Sequence, residues 1–273
     1  MQEPFSHNIE DYPQGIVLPI DKPYRWTSAD VIRKVKYAAI RHFGKKNLKI
    51  GHAGTLDPLA TGILLVCIGA ATKRAEELQR SPKQYLAGVT FGAVTASYDL
   101  EKDIERLCPL DGVSEESVRA MLPSFVGVQQ QVAPLFSAKS VDGVRAYETA
   151  RKLLKQARLQ GIPFDPGDIL QSNTVEIYSL ALERYLPRPE LPVLEAADGR
   201  SSRINVADIS GYELPTAMIR VDCSKGTYIR SLARDMGEAL GSGAFLSSLR
   251  RTANGGFTIS DALSLEEVLA LLA

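Results

Sequence analysis

The sequence predicts an α+β domain, and three observations carry that reading. Short apolar runs rich in branched side chains, such as Ile63-Leu64-Leu65-Val66-Cys67-Ile68, read as buried strands. Other segments carry apolar residues at helical spacing behind a capping residue, as in Thr27-Ser28 followed by Val31, Ile32, Val35, Ala39 and Ile40. The chain has 273 residues and is 45% hydrophobic, enough for one large domain or two small ones with an ordinary globular core.

Composition narrows the function classes. Thirty-two basic and thirty-two acidic residues cancel, so no global field points to a nucleic-acid partner, although a local basic groove would suffice. No run of 18 apolar residues is present, which argues against a membrane span. Met1 to Tyr12 is polar and acidic and lacks the apolar core of a signal peptide. Cys67, Cys108 and Cys223 are odd in number and far apart, and His7, His42 and His52 are scattered. That pattern offers no metal-ligand spacing and favours reduced thiols in a cytoplasmic protein.

Taken in order, residues 1–13 read as a loose leader and Gly15 to Ile20 as a short strand. The capped helix follows, with Arg33, Lys34 and Lys36 on its other face. Arg41, His42, Lys45, Lys46 and Lys49 come next, readable either as a solvated face or as phosphate contacts. Ala70 to Arg80 reads as a short helix, and Lys83 to Phe91 as a strand with Tyr85, Ala87, Val89 and Phe91 on one face. Ser114 opens a helix through Leu122. Asp142-Gly143 is a hairpin-type turn, Arg145 to Ala157 a basic amphipathic helix, and Pro163 to Ser172 a loop. Thr174 to Leu182 is a strand. Leu186 to Glu213, with its prolines and Asp198-Gly199, reads as a surface excursion with a short hairpin near Ile204 to Ile209. Pro215 to Val221 resumes the strand pattern, a helix starts near Thr227, and Ser264 caps a last helix over 264–272.

One stretch, Lys49 to Lys73, organises the rest. Its first half is rich in glycine, and Asp57-Pro58 stands in the loop before the buried strand. Asp before Pro is common turn chemistry, so Asp57 can be a capping acid. A lone carboxylate on a rigid loop at the foot of a buried strand is also placed like a reactive group. A phosphate-loop reading fails, because no Gly-Lys-Ser/Thr ending follows.

The segment Gly51-His52-Ala53-Gly54-Thr55-Leu56-Asp57-Pro58-Leu59-Ala60-Thr61-Gly62 resembles the catalytic loop of the TruB family, the bacterial tRNA pseudouridine-55 synthases. Further matches are Asp21-Lys22-Pro23 with Thr27-Ser28, Lys83-x-Tyr85 followed by Gly92, Thr95, Ser97 and Asp99, and Lys225-Gly226-Thr227-Tyr228-Ile229-Arg230. Arg25 stands at a family glycine, Ser97 at a threonine, Lys102 at a glycine, and Phe136 at the tyrosine of a Pro-Pro-x-Tyr-Ser-Ala segment. The resemblance runs from about residue 15 to 258. It implies one catalytic domain over 1–273 with the pseudouridine-synthase fold: a long, mixed, mostly antiparallel sheet flanked by helices and loops. A separate C-terminal RNA-binding module is not expected.

The resemblance also assigns roles. Asp57 is the catalytic acid, Arg230 the guanidinium paired with it, and Tyr85 the ring that stacks on the target uracil. Tyr228 is expected in the same pocket. His52 is expected to occupy the space left by the flipped base, or to be a hydrogen-bonded loop residue. Lys22, Lys45, Lys46, Lys49, Lys83, Lys139 and Lys225 are expected to contact RNA. The reaction turns a uracil over on its ribose without redox change, so no cofactor and no metal are expected. The expected partner is the T-arm stem-loop of tRNA, without an obligatory protein partner. Three alternatives stand beside this reading: a guide-RNA-dependent relative; a structural RNA-binding domain with a dead site, which the presence of Asp57, Tyr85 and Arg230 weakens; and a protein that folds tRNA without needing chemistry. An Asp57→Asn variant separates the last from an enzyme.

Overall fold

The apolar run after the Asp57 loop forms strand β3 (Ala60–Ile68), in which only Thr61 is not buried. Leu64, Val66 and Ile68 enter the main core, while Ile63 and Leu65 enter a second cluster with Ala53. Burial on both faces explains why this strand reads as continuous rather than alternating. Strand β1 (Ile16–Lys22) pairs antiparallel with it, from Ile16 opposite Ile68 to Lys22 opposite Gly62. On its other side β3 runs parallel to β12 (Ala244–Asn254), with Gly62 opposite Arg251. The backbones approach so closely there that a Cβ on Gly62, whose φ is +96°, would lie 2.2 Å from the Arg251 carbonyl oxygen. Only glycine fits.

The structure, a computed structural model, describes residues 4–134, 172–191 and 204–273, and the backbone of a short pairing between β8 (Ser140–Val141) and β9 (Val144–Arg145). The remaining strands are β2 (Ile50–His52), β4 (Lys83–Phe91), β5 (Ala93–Thr95), β6 (Ile104–Leu107), β7 (Gly127–Val132), β10 (Ser172–Leu186), β11 (Thr216–Cys223) and β13 (Phe257–Thr258). Among the described residues, nine strands form one sheet in the order β1-β3-β12-β4-β11-β10-β7, with β2 added to β3 and β13 to β12. Within it only β3 and β12 pair in parallel. The expected mixed, mostly antiparallel sheet is therefore present.

Helices cover this sheet. Helix α1 (Ser28–Phe43) starts at a capping box between Thr27 and Asp30 and stops at Gly44, which is left-handed. It buries Val31, Val35, Ala39 and Phe43. Helices α2 (Ala75–Arg80) and α3 (Glu115–Met121) are short, and α3 carries the expected Ser114 cap. Helix α4 (Ile229–Ala239) buries Leu232, Ala233 and Met236. Helix α5 (Leu265–Leu271) starts at a capping box of Ser264 with Glu267.

Several expectations change. Residues 4–13 are not loose: Ile9 is buried, Tyr12 meets the rings of Phe5 and Phe43 edge-on, and the Phe5 amide donates to the Leu271 carbonyl. The segment 70–80 divides into a 3-10 turn (Gly69–Arg74) and α2. Strand β10 is much longer than the 174–182 reading because β7 and β11 pair along different halves of it. No hairpin forms over Ile204 to Ile209. That segment has no strand partner among the described residues, and its Ala207 amide donates instead to the Leu100 carbonyl. Arg145 belongs to β9 rather than to a helix. The rest of the 145–157 helix, the 142–143 turn and most of the 163–172 loop lie outside the described residues.

Candidate active site

The loop 53–59 joins β2 to β3, and three elements hold it. From α1, Ser28 Oγ accepts from the Leu56 amide at 2.9 Å and donates to the Leu56 carbonyl at 3.0 Å. From β1, the Lys22 amine donates to the carbonyls of Pro58 (3.2 Å), Pro23 (2.9 Å) and Trp26 (2.6 Å). From β12, Arg251 donates through Nε to Ile63 O at 2.7 Å and through its terminal nitrogens to Gly54 O at 3.1 Å and Thr55 O at 3.4 Å. Both cations are fully buried. Burial lowers the Lys22 pKa to about 7; Asp57 opposes the fall and Arg251 adds to it. The three carbonyls match the three N–H donors of its charged form.

Asp57 projects from this loop towards the first turn of α4. There Arg230, only 5% exposed, lies against both carboxylate oxygens: Nε is 2.9 Å from Oδ2 and Nη2 donates to Oδ1 at 3.1 Å. The third nitrogen, Nη1, donates to Ser97 O at 3.2 Å and lies 3.7 Å from Asp99 Oδ2. The hydrogen bond from Nη2 and the charge of Nε against the second oxygen hold the carboxylate in place. Burial opposes the Arg230 charge, but Asp57, Asp99 and Glu101 outweigh it and raise the guanidinium pKa. Burial raises Asp99, against the pull of Arg230. It also raises Glu101 to about 7, helped by the charge of Asp99.

Asp57 keeps 38% of its side chain exposed, and it opens into a cleft of about 610 Å³. Tyr85, Tyr228, Arg230, Arg251 and Lys225 share its walls. Tyr85 reaches it from β4; burial raises the phenol pKa, with Arg251, including its hydrogen bond to the hydroxyl, pulling the other way. Tyr228 caps the start of α4. Its backbone amide donates to Gln131 Oε1 at 2.7 Å, and its carbonyl accepts from Gln131 Nε2 at 3.1 Å. The site thus offers a held carboxylate beside two aromatic rings, with cations around it and Glu76 as the other acid among the described residues that line the cleft.

Comparison with known proteins decides the family. Residues 41–162 match the TruB family pseudouridylate synthase (N terminal domain), and residues 230–273 match the tRNA pseudouridylate synthase B C-terminal domain. The chain is 42% identical to a tRNA pseudouridine synthase B of Phocaeicola vulgatus, over 94% of this chain and 92% of that one. It is 36% identical to the tRNA pseudouridine synthase B of Deinococcus deserti, over 92% of this chain and 78% of the relative. The chain belongs to the TruB family of pseudouridylate synthases. Among solved structures, a Cbf5-Nop10-Gar1 complex contains a chain similar in fold, with a TM-score of 0.60 and 25% identity. The match covers 96% of this chain and 56% of that one. The second family match runs on to residue 273, past the limit of 258 that the motifs alone set.

Within this TruB-family fold the expected site residues divide. Asp57, Arg230, Tyr85 and Tyr228 line one cleft, and Arg230 pairs with Asp57 there. His52 does not line the cleft: it lies on β2, where burial and the nearby Arg251 lower its pKa. Lys22 is not available to RNA, because its amine is consumed by three carbonyls inside the fold. Lys83 borders the cleft, but its amine is held by the carbonyls of Gln79 and Ser81. Burial, with Arg251 next, lowers its pKa to about 8. Lys45 is paired with Glu10 at 2.7 Å, while Lys46, Lys49 and Lys225 are exposed. Lys139 lies outside the described residues. Sequence reasoning missed the support functions of Gln131 and Arg251, since neither carries a local signal of its tertiary partner.

Proposed function

We propose that this chain converts uridine 55 in the T-arm loop of tRNA to pseudouridine, with Asp57 as the catalytic carboxylate. The observation that carries the reading is the grip of buried Arg230 on both oxygens of a cleft-facing acid flanked by Tyr85 and Tyr228. The relatives named tRNA pseudouridine synthase B support the substrate class. In the reaction the N1–C1′ bond breaks and a C5–C1′ bond forms. The hydrogen on C5 leaves as a proton and N1 gains one, so electrons balance without a cofactor. The uridine must leave its stack to reach the cleft. Tyr85 then stacks on the extruded base, a contact worth roughly 1–3 kcal/mol. The walls of the cleft keep the freed uracil beside its ribose while it turns. Lys46, Lys49 and Lys225 are the described lysines proposed to contact phosphates. The chain is proposed to act in the cytoplasm as one catalytic unit without a protein partner.

Pseudouridine mapping in tRNA from cells lacking this protein tests the proposal. The signal at position 55 should disappear, return with the wild-type chain, and stay absent with Asp57→Asn. An unchanged signal at that position in the deletion strain would overturn the assignment.

A further inference from the structure

Arg25 has a left-handed backbone, φ +62°, which residues other than glycine rarely adopt. The conformation is accompanied by a short contact: Nη2 donates to the Ile204 carbonyl at 2.6 Å. No carboxylate pairs with Arg25 among the described residues. The guanidinium is therefore committed to the backbone at the start of the 204–214 segment.

That segment lies behind the active site. Its Ala207, Ile209 and Leu214 are buried in one cluster with Leu59, Leu100 and Phe245. Leu59 stands just beyond Asp57-Pro58, and Leu100 just beyond Asp99. The Ala207 amide donates to Leu100 O at 2.8 Å, and Asn205 Nδ2 donates to Glu101 O at 3.3 Å. Arg25 itself lies in the turn whose Pro23 and Trp26 carbonyls hold Lys22, and Lys22 holds Pro58. The segment thus braces the supports of both acids that Arg230 faces, and touches neither acid in a polar contact.

We propose that Arg25 is a positioning residue, a latch that seats the 204–214 segment across the back of the catalytic loop and so fixes Asp57 and Asp99 relative to Arg230. Its catalytic consequence rests on the function proposed above; the latch itself does not.

Arg25→Gly is the informative variant, because glycine accepts the positive φ while the latch is lost. Three measurements decide: amide exchange at Ala207, RNA affinity, and single-turnover rate on saturating T-arm RNA. The variant's Ala207 amide should exchange about tenfold faster as the segment opens locally. Its single-turnover rate should fall about tenfold from misplacement of the acid, with RNA affinity unchanged. Arg25→Lys, which keeps a donor, should recover part of both the protection and the rate. Wild-type exchange in Arg25→Gly overturns the latch. A wild-type rate despite faster exchange, or a loss confined to RNA affinity, overturns the positioning role. A wild-type protein without synthase activity would instead remove the proposed function, and the exchange comparison would still decide the latch.

Discussion

Gln131 and Tyr228, 97 residues apart in sequence, hold each other by two hydrogen bonds between one side-chain amide and one backbone. The amide belongs to the C-terminal end of β7, the backbone to the start of α4. One buried side chain therefore joins the far edge of the sheet to the residue that lines the cleft and precedes Arg230 by two positions.

Replacing that side chain by one of similar shape without polar atoms should expose its importance. Gln131→Met takes the acceptor from the Tyr228 amide, while the Tyr228 carbonyl keeps the Leu232 amide at 3.1 Å; losing the buried amide's bond costs about 1–3 kcal/mol. The denaturant midpoint should fall with little change in slope, and the single-turnover rate should fall with it. An unchanged midpoint would mean that water replaces the amide.

Asp57→Asn keeps the size of the side chain and removes its charge. Turnover should vanish in a preparation free of host synthase. RNA affinity should change little, because contacts to phosphate dominate binding. Clear residual turnover would remove Asp57 from the chemistry.

Lys22 and Lys46 separate fold from binding. Lys22→Met removes the amine that three carbonyls share, so stability should drop by roughly 1–3 kcal/mol. The dependence of RNA affinity on salt should stay as in wild type. Lys46→Ala should leave the melting temperature alone and flatten the salt dependence by about one phosphate contact. The reverse pattern would restore Lys22 as an RNA contact.

These contrasts show what the sequence could carry. The Asp57 loop is legible because its chemistry is contiguous, and β3 because burial on both faces leaves an unbroken apolar run. A lysine is different. Lys22 and Lys46 look alike in sequence, and only the carbonyls gathered from Pro23, Trp26 and Pro58 make one of them structural. Arg251 is likewise anonymous until β12 brings it under Gly54 and Thr55. Ile204 to Ile209 reads as a short hairpin, yet it pairs with no strand among the described residues, and its buried Ala207 and Ile209 pack with Leu59 and Phe245 instead. Non-local contacts of this kind leave no pattern along the chain.

Glu101 should give the fold a measurable pH dependence. Its pKa rises from 4.5 to about 7 on folding, mainly through burial and then the charge of Asp99. Folding therefore takes up a proton at this site between those values. The Glu101 contribution favours the fold below pH 4.5 and is lost as the pH rises to about 7. Glu101→Gln cannot titrate, so its stability relative to wild type should climb across that window and stay level above it. Urea unfolding of both proteins at several pH values checks this, and curves that run parallel would contradict it.

Arg230→Lys tests the grip that defines the site. Lysine keeps a positive charge but cannot reproduce the paired contacts of Nε and Nη2 with the two Asp57 oxygens while Nη1 donates to Ser97. A compact ammonium can satisfy one oxygen or the other, so the carboxylate is no longer held at both. Misplacement by about 1 Å costs on the order of 100-fold in rate, and the single-turnover rate on saturating RNA should fall by that amount. Arg230 is buried and engaged with Asp57 and Ser97, so few phosphate contacts are at stake. The slope of RNA affinity against salt should therefore match wild type, whereas Lys46→Ala changes it. A normal single-turnover rate combined with a flatter salt slope would make Arg230 a phosphate anchor and would break the link between this guanidinium and Asp57.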